Sequence, residues 1–571
     1  MRQYHINDNR FAASGLAFRI AVFSCFLFVW AVVSESKAEN WPTYRSDIAR
    51  SGVGSETVGP ELFLRWKYVP THRPMPAWPM PAEEMPRMHV DNALRVAAAD
   101  GRVYFGCPVT NQVYALDAAL GKICWRFFTE GPVRFAPTFD NGRIYFGSDD
   151  GFAYCLNAQN GALVWKYRAG HSSEKVIGNG RMISLWPIRT GVLVDDGAVY
   201  FAAGVFPYEG LYICALRAAD GSVIWKNDTV SDRVYELEFG GISPHGYLVA
   251  SKDVLYVPSG RAMPAGFDRQ TGKFLFYASP GGHRGGIWAL LDDDRLIAGV
   301  VYSESQGMKE NPIKVAYDAK TGRRRGNAFA WFPGIDMVLT HNTSYVLTQQ
   351  GIYAINRVEY AEAMKKVGQL VKERKALVKK LAKLRKNLSD LVESDEKINP
   401  QIDGITNRLA VMNKEEGVLK KSCLRWSYAG KGFASLIMAG DLLYAGGEGV
   451  VVGIDAKTGK QLRRETVVGN AVGLAAADGR LIVSTDKGPI YCFGSGKISA
   501  VAEIKTNLIT NPYPNDKYAK IYRDAARAIL KVSGINKGYC LIPDCNIGRL
   551  AYELAQNSEL KIIGLEKDPR K

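Results

Sequence analysis

Cysteine is sparse in this chain: nine among 571 residues, with no two adjacent. That excludes a disulfide-built scaffold, which packs far more cysteine into far less chain. Charge is also thin, at 23% of residues against 47% hydrophobic and 11% aromatic, which excludes a disordered chain. A membrane-spanning run is missing as well. The apolar stretch Ile20–Val33 has about 14 residues where a spanning helix needs roughly 20. Arg10 and Arg19 precede it, and Ser36-Lys37-Ala38 fits a small-x-small cleavage site. Residues 1–38 therefore read as a cleaved secretory signal. The expected mature protein is exported, periplasmic or cell-envelope associated, with no transmembrane span. Cys25, inside the apolar run, lacks the small residues of a lipid-anchoring site.

Glycine is plentiful (57), alongside 28 Tyr and 11 Trp, which implies many turns and many strands. The length suggests three or four domains unless a repeat absorbs most of it. A repeat is present: a Gly or Asp turn, an aromatic strand, a second strand, Asp-x-x-x-Gly, then a strand carrying Trp. It runs from Gly101-Arg102-Val103-Tyr104-Phe105 through Asp117 and Gly121 to Trp125, from Gly142 to Trp165, and from Gly197 to Trp225. Weaker copies begin near Lys252, Asp293 and His341, and sharper ones near Asp441 and Asp478. Eight units of about 40 residues is propeller spacing. The last unit stops at Tyr491-Cys492-Phe493 without a Trp strand, and an orphan Trp strand, Leu62–Tyr68, precedes the first. Pairing the two would complete an eighth blade and remove exposed sheet edges. The expected fold class is all-β: an eight-bladed β-propeller over residues 39–495.

Ala-x-Asp-x-x-x-Gly-Lys-x-x-Trp, at Ala115–Trp125, resembles the blade signature of PQQ-type (quinoprotein-like) β-propeller repeats. Trp-Pro-Thr-Tyr-Arg-Ser-Asp-x-x-Arg-Ser-Gly, at Trp41–Gly52, is similar to the opening of many exported members. The resemblance covers roughly 41–495 and implies the fold. The family it points to includes calcium- and quinone-dependent dehydrogenases as well as non-enzymatic scaffolds of outer-membrane assembly. The dehydrogenases resemble one another in an adjacent Cys pair over the cofactor and an acidic calcium-binding centre. This chain has no such pair, and Cys155 and Cys492 stand where Ala115 does in its strand, as small buried residues. PQQ and calcium are therefore not expected as cofactors, and no metal or catalytic residue is assigned.

Aligning units on their first turn puts Arg134, Arg189 and His245 at one position on three successive blades, about seven residues before the turn. In the family's geometry that is where the innermost strand starts, beside the channel. Together with Arg181, in the long connection His171–Arg189, they form a candidate site for an anionic ligand, carboxylate or phosphate. The alternative is that these arginines pair with acids of the blades. Loops on that face, including Pro70–Arg95, suit binding.

A different composition separates Tyr353–Asn356, a third strand, from its Trp strand Leu424–Tyr428. Leu370, Leu377, Leu384 and Leu391 recur every seven residues, with Val367, Leu381 and Leu388 between them, and Asn399-Pro400 breaks the pattern. Ile402, Ile405, Leu409 and Met412 supply a returning face. The spacing predicts an antiparallel coiled-coil hairpin over 358–421, inserted in blade 6. Its lysines and arginines, Lys365 to Lys386, read as a solvated face or as an arm for a protein partner or an anionic surface. Nucleic acid is not expected, because no aromatic residues interleave with them.

After Phe493 the repeat stops. Tyr518–Val532 reads as an amphipathic helix with Tyr518, Ile521, Tyr522, Ala525, Ala528, Ile529 and Val532 on one side. Strand, turn, helix and strand follow, from Gly538 to Glu566. This resembles the opening of class I S-adenosylmethionine-dependent methyltransferases, with Glu566 at the ribose-binding acid and Gly548 at the last loop glycine; Asp544 and Asn546 stand at the two earlier glycines. Residues 496–571 are thus expected to start a Rossmann-like domain that needs roughly 150 residues to close, either a fragment of a longer protein or a vestige. The functional expectation is an exported binding or scaffold protein, non-catalytic as it stands. The alternatives are a methyltransferase fusion whose propeller presents substrate or partner, using S-adenosylmethionine, and a quinone- and calcium-dependent oxidoreductase.

Overall fold

The computed structural model describes residues 40–568 apart from 60, 78–90, 179, 206, 234–240, 261–262, 279–282, 285, 300, 304–308, 312–313, 390–397, 497–499 and 507–510. The expected signal peptide and Leu391 lie outside the described residues.

Most of the described chain forms antiparallel four-stranded sheets made from consecutive strands, except that the Trp288–Asp292 sheet is interrupted by strands Val301–Ser303 and Lys309–Asn311, which pair in a separate sheet. Six stand separately, with innermost strands Val96–Ala99, Thr138–Asp140, Leu193–Asp195, Val249–Ala250, Trp288–Asp292 and Asp336–Leu339. A larger sheet of eight strands follows. Its long strand Gln461–Ala477 pairs through its first half with Leu442–Asp455 and through its second with Arg480–Thr485, so one strand serves two four-stranded groups.

The repeated residues are the contacts between neighbouring sheets. Trp125 donates its indole N–H to Ala158 O of the next sheet at 2.9 Å, Trp165 to Ala218 O at 3.1 Å, Trp225 to Arg269 O at 3.0 Å and Trp426 to Ala456 O at 2.9 Å. Each acceptor follows the Asp position of the repeat. Where that position is Asp117, its carboxylate accepts the N–H groups of Ala119 and Leu120 and shapes the turn. The repeat glycine then lies flat against the incoming indole. Gly121, Gly161, Gly221, Gly272 and Gly459 have φ between 71° and 74°, and a Cβ at any of them would come within 2.8 Å of the neighbouring Trp ring. Only glycine meets both demands.

The two ends of the repeat region meet. Phe63–Val69 pairs antiparallel with Ile490–Gly494, with Lys67 opposite Tyr491, and Trp66 donates to Ala118 O of the Val96–Phe128 sheet at 2.9 Å. A strand that the sequence did not suggest, Ala502–Lys505, adds in parallel to the outer side of Phe63–Val69.

Residues 41–54 form a strap across the inner strands, whose edges would otherwise present unpaired N–H and C=O groups. Trp41 bridges Ala98, Phe139 N–H donates to Pro42 O, and Ala250 N–H to Ile48 O. Leu291 N–H donates to Ala49 O, and Met438 N–H to Gly52 O. Arg45 reaches a further sheet by donating to Asp336 Oδ1 at 2.8 Å. Arg50, wholly buried, donates to Leu248 O, Thr43 Oγ1, Tyr44 O and Asp47 O, and burial lowers its pKa to about 10. Arg45, Ser46 and Arg50 hold left-handed φ values of 57°, 75° and 61°, a cost that these buried contacts offset.

Between Gly351–Asn356 and its partner strand Leu424–Ala429 lie two helices, α1 (Arg357–Ser389) and α2 (Asn399–Ser422). Ala363 and Val367 are buried on α1, with Leu370, Leu377, Leu381 and Leu384 half-buried at heptad spacing; Ile405 and Met412 are buried on α2. Arg374 pairs with Glu416 at 3.0 Å, and Arg408 with Glu373 at 2.8 Å and Glu415 at 2.9 Å. At the base, Trp331 donates to Glu416, Tyr360 packs on Phe329, and Arg357 grips Asp292 at 2.7 Å.

The C-terminal unit has helix α3 (Lys517–Ser533), then parallel strands Lys537–Ile542 and Glu559–Gly564 joined through α4 (Arg549–Gln556). Asp516 caps α3 and pairs bidentately with Arg549, both contacts 2.8 Å. The apolar side of α3 read from sequence is only partly the side that the fold covers. Ala526 is buried and Ala519, Tyr522, Ala525 and Leu530 half-buried, while Tyr518, Ile521, Ala528, Ile529 and Val532 are exposed. The helix is apolar on two sides, and α4 covers the one through Tyr522 and Ala526.

Candidate functional site

The strap and five inner strands enclose a cavity of about 300 Å³. Its lining comes from Val96, Trp288-Ala289, Asp336, Ser435–Ile437 and Val472–Leu474 on the strands, and from Trp41, Tyr44 and Arg45 on the strap. Among the described residues three in the lining are cationic, Arg45, Arg95 and Lys314, and one is acidic, Asp336. Asp336 is already saturated: it accepts from Arg45 at 2.8 Å, Met337 N–H at 2.8 Å and Leu436 N–H at 2.9 Å. Arg95 donates to Val472 O at 2.7 Å and lies 5.5 Å over Tyr44, which stacks on Tyr247 at 3.8 Å between ring centres. Lys314, 4% exposed, sits 4.8 Å over Trp288, whose ring also faces Arg45 at 5.5 Å. Asn92 Oδ1 and Asn470 Oδ1, also in the lining, are buried without a hydrogen-bond partner. Aromatic rings and cationic donors suit a flat or compact anion, and the two open amide oxygens can accept from a hydrogen-bond donor on the same ligand.

The residues singled out from sequence stand elsewhere. Arg134 and Arg189 do converge, but on the protein's own Asp149. Arg134 Nε donates to Asp149 Oδ2 at 2.7 Å, and Arg189 donates to both Asp149 oxygens at 3.1 Å. Arg134 also meets Asp91 at 2.8 Å. Burial alone would raise the Asp149 carboxyl, yet Arg134 and then Arg189 hold it below the ordinary carboxylate range. This corrects the expected anion site: the anion these arginines hold is a resident carboxylate, wholly buried. His245 is buried edge-on to Phe135, with ring centres 6.0 Å apart. Arg181 donates to Val109 O at 2.7 Å and Asn111 Oδ1 at 3.2 Å, from a two-stranded hairpin (Lys175–Gly178, Arg181–Ser184) within what reads in sequence as a loop. In the C-terminal unit Asp544 and Asn546 take φ values of 52° and 54°, so both stand in the left-handed region that a glycine would fill. Gly548, φ 82°, begins α4, and Glu566 accepts from Asp568 N–H at 2.9 Å.

The charged cavity residues escaped the sequence reading because no two blades supply the same one, although Asn92 and Asn470 recur at one repeat position, eight residues before Asp100 and Asp478. The available signal was the strap motif, whose Tyr44 and Arg45 form the cavity floor, and Arg95 at the end of a long connection.

The fold defines a repeat protein of stacked four-stranded sheets, and comparison with known proteins names the repeat. Residues 76–325, less than half of the chain, match the family model described as outer membrane protein assembly factor BamB, so this stretch carries PQQ-type repeats. Tetrathionate hydrolase of Acidithiobacillus ferrooxidans is 27% identical over 246 residues, 41% of this chain and 44% of that protein. The dehydrogenase subunit of a quinone-type alcohol dehydrogenase from Gluconobacter oxydans is 28% identical over 138 residues, 21% of this chain and 17% of its own. Each match spans less than half of the relative's length. Among solved structures, the quinohemoprotein alcohol dehydrogenase of Comamonas testosteroni aligns with a TM-score of 0.49 and 14% identity, covering 86% of this chain and 85% of that one. No helix among the described residues is long and apolar enough to cross a membrane.

Proposed function

We propose that the chain is an exported, eight-bladed PQQ-type propeller that works by holding a small organic or inorganic anion in its central cavity. The blade count takes the six separate sheets and reads the eight-stranded sheet as two more. The observation that carries the binding role is the set of donors in the lining: among the described residues Arg45, Arg95 and Lys314 bring guanidinium and ammonium groups beside the rings of Tyr44 and Trp288. Such groups make charge-assisted hydrogen bonds to an anion.

The relatives suggest two ligand chemistries. One is named for acting on tetrathionate, a compact dianion, and the other for using a quinone cofactor. The sequence alone set the quinone aside for want of adjacent cysteines. The lining brings it back, since PQQ is a flat tricarboxylate and the cavity offers guanidinium, ammonium and aromatic faces. Among the described residues the one lining carboxylate is committed to Arg45 and two backbone N–H groups, so the described lining offers calcium no open carboxylate. Bound, the quinone would supply two-electron redox chemistry; this chain's residues would bind its carboxylates through Arg95 and Lys314 and flank its plane with Tyr44 and Trp288.

Titration calorimetry of the whole protein with PQQ, and separately with tetrathionate, tests the reading. One of the two should bind, and Arg95→Gln or Lys314→Met should weaken it at least tenfold. Absence of binding by either anion, or unchanged affinity in both variants, overturns it. Added Ca²⁺ should leave the affinity unchanged; a large gain with Ca²⁺ would favour a calcium-dependent oxidoreductase. The hairpin and the C-terminal unit are, on this reading, attachments through which the propeller meets other molecules. Asp544 and Asn546 put side chains where a nucleotide needs bare backbone, so S-adenosylmethionine does not suit that loop.

A further inference from the structure

The two sides of the hairpin differ in how their charges are arranged. Between the helices, charges alternate and pair: Arg374 with Glu416, and Arg408 with Glu373 and Glu415. The outward side of α1 instead carries a run of one sign. Lys372, Lys375, Lys379, Lys383 and Lys386 follow one another at spacings of three, four, four and three, all exposed. Such spacings put consecutive side chains on one face, one above the next. Lys365 lies a heptad above Lys372, and Lys380 and Arg385 flank the line. From Arg374 to Ser389 the helix holds no acidic residue. Like charges at these spacings destabilise a helix, whereas a merely solvated helix face interleaves both signs.

We infer that this lysine line is a docking edge for an anionic lipid surface. The line runs fourteen residues, about 21 Å at the helical rise, along one straight helix. It offers point charges and no aromatic or leucine anchor of the kind that a protein partner's pocket grips. Nor does it offer rings on which bases stack. Val371 and Val378, each 50% exposed, lie beside the line a heptad apart, placed to enter the headgroup layer when the lysines meet phosphates. Trp331, Tyr360 and Arg357 fix the base of the hairpin to its sheet, so the edge is presented by a braced arm. The inference is independent of what occupies the central cavity.

Co-sedimentation of the full chain with vesicles tests it. The chain should bind vesicles of 30% phosphatidylglycerol in phosphatidylcholine, release at high salt, and ignore pure phosphatidylcholine. Replacing Lys372, Lys375, Lys379 and Lys383 with Gln should weaken binding by more than about a hundredfold, since each lysine near such a surface contributes about fivefold. A second variant replacing Lys431, Lys457, Lys460 and Lys487 of the propeller with Gln has the same net charge and should bind within about threefold of the parent. Thermal melts of both variants check that each is folded. Equal binding to uncharged vesicles, an unaffected line variant, or an equal loss in the propeller variant overturns the inference. Tighter retention by heparin or single-stranded DNA than by anionic vesicles at matched salt would overturn it in favour of a linear polyanion.

Discussion

The propeller and the hairpin that leaves it are both periodic, yet their periods do different work. In the propeller the period is about 40 residues, and its conserved-looking positions within this one chain are contacts between units: the indole of one sheet, and the glycine and carbonyl of the next. In the hairpin the period is seven, and its positions form a seam between two segments adjacent in sequence. The ring is therefore held by contacts across repeats and should respond sharply to a single change, while the hairpin is held locally and should yield gradually.

The largest separation between the two regions should come from the ring. Asp149→Asn leaves two buried arginines short of their anion and should cost about 3–5 kcal/mol, measured by chemical denaturation. Trp125→Ala empties a buried site and removes the bond to Ala158, with a comparable expected cost of about 3–5 kcal/mol. Gly161→Ala drives a Cβ into Trp125 at a φ of 72° and should cost about 2–3 kcal/mol, whereas Gly368→Ala, inside α1 where a Cβ meets nothing, should stabilise by about 0.5–1 kcal/mol. Acid sharpens the contrast. The Asp149 carboxyl is depressed in the folded protein, so its contribution is complete above about pH 4 and is lost as pH falls through the lowered folded value. Melting temperatures should thus fall more steeply below pH 4 in the parent than in Asp149→Asn. The smallest effect belongs to the hairpin: Arg408→Ala removes only exposed ion pairs and should leave the denaturation midpoint close to that of the parent.

The same contrast explains what could be read from sequence. Strands, turns and the meeting of the Trp66 and Tyr491 strands were legible because each rests on a residue type that recurs in register. The heptad seam was legible for the same reason. The cavity was not, because its charged residues come from unlike positions: Arg45 from the strap, Arg95 before one inner strand, Lys314 from another sheet. Arg134 and Arg189 were aligned correctly and given the wrong role, since their counter-charges, Asp149 and Asp91, lie outside the aligned positions. On α3, Ile521, Ile529 and Val532 share the helical period with the buried side, and periodicity alone does not say which apolar face finds a neighbour.

The strap has a consequence in time. Residues 41–54 leave the ribosome before any sheet they touch, yet their partners are spread from Ala98 to Gly440, and the Phe63–Val69 strand must wait longer still, for Ile490–Gly494. The first part of the domain to be synthesised is the last able to settle. Until then the inner strands stay uncovered and the ring is an open arc. Completion of this protein is a late, all-or-none event, and any factor that delays it, a translocation pore or a chaperone, would act on those few early residues.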